Sequence, residues 1–177
     1  KQSTWNFSIL LFLLFVAGSL SAQDAIPRPE HPRPQFKRNS WMNLNGRWNF
    51  AFDPGKSGVE QDWHLDPSGF DKQITVPFCP ESKLSGLEHT DFMPMVWYHR
   101  TANVPESWHD QRVFLHFGAV DYECRVWVNG KFAGKHIGGS SSFKLDITNY
   151  LKEGKNQLVV NVIDDVRANG AGDTDDN

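Results

Sequence analysis

The chain has 177 residues, a formal charge of −3 and a sequence pI near 6.2, so it lacks the basic stripe that holds a phosphate backbone. Nucleic acid is thereby excluded as a partner. Its length gives room for one domain with tails, and an aromatic content of 13%, with seven Trp and thirteen Phe, favours pleated sheet over helix.

In chain order, the first feature is an uncharged apolar run, Ile9 to Ala17 (ILLFLLFVA), followed by small residues and then by Gln23-Asp24. This predicts a secretory signal peptide over residues 1–22. The run is short of the roughly 20 apolar residues a spanning helix needs, so the expectation is a secreted or periplasmic protein, free of the membrane after cleavage. Residues 23–40 form a Pro-rich leader, with four prolines between Ala25 and Pro34 favouring extended backbone.

From Trp41 the pattern changes to short alternating runs. Gly46 to Phe52 places Trp48, Phe50 and Phe52 on one face, and Asp53-Pro54-Gly55 stops it. Ile74 to Val76 is a short extended run closed by Pro77, and Val96 to Val104 is a longer one closed by Pro105. Arg112 to Phe117 aligns Val113, Leu115 and Phe117. Glu123 to Val128 sets Cys124, Val126 and Val128 against Arg125 and Trp127. Asn129-Gly130 then predicts a hairpin returning through Lys131 to His136, because a type I′ turn needs positive φ at two successive positions. Ser142 to Ile147 and Gln157 to Ile163 complete the set, with one helical turn over 148–151 between them. No amphipathic helix exceeds a couple of turns. The expectation is an all-β sandwich over 41–165 and a Gly/Asp-rich loop or end over 166–177.

Catalytic motifs of the nucleophile-elbow, zinc-protease and phosphate-loop kinds are absent, and Gly138 to Ser142 reads as a strand-connecting turn. The seven histidines have no metal spacing, and no cofactor or metal is expected. Acidic pairs near the end (Asp164 and Asp165; Asp173, Asp175 and Asp176) lack the spacing of a calcium loop. Cys79 and Cys124 stand either as a disulfide or as separate thiols. Trp97 and Trp127 are candidates for stacking on a sugar ring, with core packing or a domain interface as the alternative.

Four blocks carry a family resemblance: Leu44-Asn45-Gly46-Arg47-Trp48-Asn49-Phe50, Ile74 to Pro77, Val96-Trp97-Tyr98-His99-Arg100, and Phe117 to Gly130 continuing to Thr148. In order and spacing, Trp41 to Asp165 resembles the N-terminal sugar-binding domain of glycoside hydrolase family 2, the family of β-galactosidases and β-glucuronidases. The resemblance implies a jelly-roll (galactose-binding-like) β-sandwich. The family's last, G-I-W-like strand has no counterpart in this sequence, so the sandwich is expected without its closing strand.

It also implies that both catalytic Glu residues lie in a downstream catalytic barrel domain, so no catalytic residue is assigned to this chain. Carbohydrate, as a β-linked galactoside or glucuronide, and a homo-oligomeric partner would be met through the parent enzyme. The loop from Ser85 to Met95 is the region expected to approach the substrate pocket. The candidate substrate-binding residues are therefore His89 and Asp91 on that loop and, separately, Trp97 as an aromatic for stacking. The parent is expected to be an exported retaining β-glycosidase with this domain as a non-catalytic part. The alternatives are a free-standing carbohydrate-binding module and a structural sandwich for docking or oligomerisation.

Overall fold

A computed structural model describes residues 26–31, 35 and 39–164. The expected signal peptide, part of the Pro-rich leader, Asp165 and the Gly/Asp-rich end at 166–177 lie outside the described residues. The chain forms eight strands: β1 (Gly46–Phe52), β2 (Lys72–Val76), β3 (Met95–Val104), β4 (Phe114–Phe117), β5 (Glu123–Val128), β6 (Lys131–Ile137), β7 (Phe143–Asp146) and β8 (Gly154–Ile163). Six make one sheet in the order β2-β1-β3-β8-β5-β6, and β4 with β7 makes a second. Every pairing is antiparallel. The fold is all-β, as the alternating pattern predicts, and the helical turn expected after β7 is a 3₁₀ turn at Thr148–Tyr150.

The alternating runs explain the main core. Trp48 and Phe50 of β1, Val96 of β3, Cys124, Val126 and Val128 of β5, and Leu158, Val160 and Val162 of β8 share the inner face of the large sheet. Leu115 of β4 packs into the same cluster, with Phe117 and Phe143 of the small sheet against it. Phe143 stacks on Phe117 at 4.7 Å and on His136 of β6 at 4.1 Å, which ties the small sheet to the edge of the large one. The β5–β6 hairpin turns on Asn129 (φ 51°) and Gly130 (φ 77°), the two positive values that the Asn-Gly pair provides at low cost.

The outer face of the large sheet is covered as well. Residues 53–71 between β1 and β2 cross it and close a second cluster of Ala51, Met95, Trp97, Trp127 and Val159, with Val59, Trp63 and Phe70 on top. Asp53 anchors this cover. Its carboxylate, 2% exposed, accepts the amides of Ser57 (3.0 Å) and Gly58 (2.8 Å) and the indole N–H of Trp97 (3.0 Å). Three donors around one buried carboxylate offset the loss of its hydration. Among the described residues no helix is long and apolar enough to cross a membrane.

Candidate functional site

His89 and Asp91 lie on the segment that links β2 to β3. Its conformation is set by Ser85, 1% exposed, whose hydroxyl donates to the carbonyls of Ser82 (2.7 Å) and Pro80 (3.2 Å) and accepts from the Leu87 amide (3.0 Å). The His89 amide closes the segment onto the Pro80 carbonyl at 3.0 Å. The His89 ring then lies against Phe52, 4.3 Å between centroids, at the end of β1. Asp91 is exposed. The Asp164 amide bonds the Pro94 carbonyl at 3.1 Å, so this segment borders the end of the sheet at which β8 finishes. The structure thus brings His89 and Asp91 together on one loop.

Trp97 is not with them. It is fully buried, on the opposite face of the sheet, stacked on Trp127 at 5.5 Å and edge-on to Trp63 at 5.8 Å. It presents no free face to a sugar ring. Trp127, 6% exposed, lies under the same cover, with His64 tilted over it at 5.3 Å. Of the three readings open for these tryptophans, core packing is the one found in this chain. The alternating pattern assigns Trp127 to the second face, but only the crossing segment 53–71 reveals that this face is closed too.

Where the cover ends, the same face opens into a groove of about 400 Å³. Two cross-strand pairs make its floor, Asn49 with His99 and Thr101 with Gln157. Asp66, Pro67, Ser68 and Phe70 make one wall. Asn49 donates its amide N–H to Nδ1 of His99 at 3.1 Å, which places the proton of the neutral imidazole on Nε2. Burial lowers the His99 pKa below its usual value, so the ring is neutral at pH 7. The Ser68 hydroxyl and then its amide hold Asp66 below the ordinary carboxylate range, so Asp66 stays ionised. None of these groove residues carries a sequence motif. Asn49 and His99 lie within family-like blocks, but nothing in the sequence joins them to Asp66 or Gln157.

Both cysteines are free. Cys79 is exposed on the β2–β3 segment, whereas Cys124 lies in the main core, where burial pushes its thiol up to about 12. Of the two states left open by the sequence, separate thiols is the one found. Among the described residues no group of His, Cys, Asp or Glu is arranged to hold a metal ion.

The strand order and the two-sided burial define an antiparallel β-sandwich with a loop-built rim. Residues 41–176 match the family model for glycosyl hydrolases family 2, sugar binding domain, and the chain belongs to that family. A β-glucuronidase of Paenibacillus borealis is 33% identical over 124 residues, which cover 70% of this chain and 21% of that protein. A β-galactosidase of Priestia megaterium is 29% identical over 146 residues, covering 69% of this chain and 14% of that protein. Among solved structures, the β-glucuronidase of an uncultured Clostridium sp. superposes with a TM-score of 0.58 at 34% identity, over 68% of this chain and 21% of that one. The chain therefore spans about a fifth or less of the length of these relatives.

Proposed function

We propose that this chain is the non-catalytic, N-terminal sugar-binding part of an exported retaining β-glycosidase of β-glucuronidase or β-galactosidase type. The observation that carries the reading is the match of one accessory module, at residues 41–176, to relatives about five times its length. In such a parent, a terminal β-linked sugar is cleaved by double displacement between two carboxyl groups about 5–5.5 Å apart, supplied by another domain. His89 and Asp91 are the residues of this chain proposed to border the substrate. They stand on a rim loop fastened by the hydrogen bonds of Ser85, at the sheet end where β8 stops. Export rests on the apolar run at Ile9 to Ala17, and N-terminal sequencing of the mature protein tests it: a start near Gln23 supports cleavage, and a mature chain that retains the Ile9–Ala17 run refutes it.

The central test compares hydrolysis of 4-nitrophenyl β-glucuronide and 4-nitrophenyl β-galactoside by this chain and by the full-length parent. Turnover by the parent alone is the expected result. Turnover by the 177-residue chain itself would overturn the accessory role.

A further inference from the structure

We propose that the groove floored by Asn49, His99, Thr101 and Gln157 binds an uncharged, hydroxyl-rich ligand, a neutral glycan segment, at a surface separate from the His89–Asp91 loop. The argument begins with the sheet. Its outer face is sealed by apolar side chains around Trp97, Trp127 and Val159; along the Trp127–Val159 row it turns polar and open at His99 and Asn49, and it stays so one row further at Thr101 and Gln157. Thr101 stands six residues along β3 from Met95, about 20 Å at the usual strand rise. Met95 marks the end bordered by the His89 loop, so the groove lies well towards the opposite end of the sheet.

The chemistry of the lining selects the ligand. Among the described residues, the side chains of Thr101 and Gln157 have no protein hydrogen-bond partner, and their backbones are fixed by strand pairing. The Asn49 amide is already committed to Nδ1 of His99, which fixes the imidazole and leaves Nε2–H as a donor. A hydroxyl, an amide and an oriented imidazole on a rigid floor provide mixed donors and acceptors for neighbouring hydroxyl groups. Phe70 and Pro67 add an apolar wall, which suits the C–H face of a pyranose. The groove residues include no Lys or Arg, while Asp66 contributes a negative charge. A carboxylated sugar would be repelled there, and a phosphate would find no cationic partner. The assignment goes beyond the accessory reading, since it concerns what this chain binds by itself.

The test is an amide NMR titration of the intact chain with xylohexaose, cellohexaose and, as the anionic arm, a hexamer of galacturonic acid. The side-chain NH₂ resonances of Asn49 and Gln157 report directly from the groove floor. Saturable shifts of these signals with at least one neutral hexamer are expected, with at least tenfold weaker binding of the galacturonate. The double variant Thr101→Val, Gln157→Ala changes two side chains outside both cores and is expected to keep the dispersed spectrum of the parent while losing affinity at least tenfold. No groove shifts with either neutral hexamer would overturn the site, as would undiminished affinity in the variant. Equal binding of the galacturonate would overturn the choice of a neutral ligand. The hydrolysis comparison above uses the parent and a different readout, so the two proposals fail independently.

Discussion

At the scale of single residues, Asp53 and Gly58 show how one carboxylate organises a whole covering segment. A Cβ on Gly58 would lie 2.7 Å from the Trp97 indole and 2.8 Å from Asp53 Oδ2, closer than real contacts allow. Gly58→Ala should therefore cost about 1–3 kcal/mol, because a buried indole and a bonded carboxylate must both shift. Asp53→Ala strips three donors of their acceptor and should cost about 2–4 kcal/mol. Urea unfolding followed by tryptophan fluorescence measures both, and a cost below about 0.5 kcal/mol for Asp53→Ala would refute its anchoring role.

A second carboxylate makes stability depend on pH. The Thr148 hydroxyl, then the Arg112 guanidinium and the Thr148 amide, hold Asp146 down to about 2 from an ordinary 3.8. A carboxyl depressed by folding stabilises the native state above its unfolded pKa, and that contribution fades as the pH falls through the folded one. Asp146→Asn should be less stable than the natural chain from neutral pH down to about 4, and the gap should narrow between about 4 and 2. A gap of constant size across that window would refute the linkage.

At the scale of elements, the turns matter more than the strands they join. Asn129 does more than supply positive φ at the β5–β6 turn. Its side chain donates to the Tyr150 carbonyl and to Asn156 Oδ1, both at 2.8 Å, and accepts from the Gln157 amide at 3.0 Å. Asn156, fully buried, in turn binds the backbone at Lys152 and Gly154. The two amides fasten the hairpin to the start of β8 as one unit. In a double-mutant cycle, Asn129→Ala and Asn156→Ala should each destabilise, and the pair should cost less than their sum by about 1 kcal/mol. Strict additivity would show that the two turns are independent.

The hairpin itself was readable in the sequence, because Asn-Gly between two alternating runs has a steric cause. So were the inner faces of β1, β4 and β5, since period two assigns every second residue to one side. The groove and the Asp53 anchor were not. Both depend on segment 53–71, whose Trp63 and Phe70 follow no strand or helix period and whose Asp53 reads as a turn residue. Alternation tells which residues share a face, but not whether a loop later covers that face. For Trp127 the alternation gives the face but not the cover, and Trp97 proves to share both. The placement of His89 and Asp91 on a loop came from the family resemblance, not from a period in the residues. The hydrogen bonds of Ser85 that shape this loop could not be read from the sequence, since they are a three-dimensional fact.

At the scale of the whole molecule, the large sheet is buried on both sides, by the small sheet on one and by segment 53–71 on the other. Its edges carry Lys131 and Lys135 on β6, beside the exposed Phe132 and Ile137, and Lys72 and Gln73 on β2; the charged side chains disfavour strand pairing with another chain. The two thiols read out how completely this arrangement closes. Cys79 is exposed, whereas Cys124 lies in the central part of the main core with its thiol pushed up to about 12, so almost none is thiolate at neutral pH. Native protein should react with an aromatic disulfide reagent at one thiol per chain, and the second should appear only in denaturant. Because Cys124 is held between paired strands β6 and β8 and under the small sheet, its slow labelling should follow the rate of global unfolding. Asp53→Ala loosens the opposite cover, and it should speed Cys124 labelling in proportion to the stability it removes. Rapid labelling of both thiols in the native chain would mean that the core opens locally. Labelling of neither, restored by a reductant, would mean a disulfide and a rearranged sandwich.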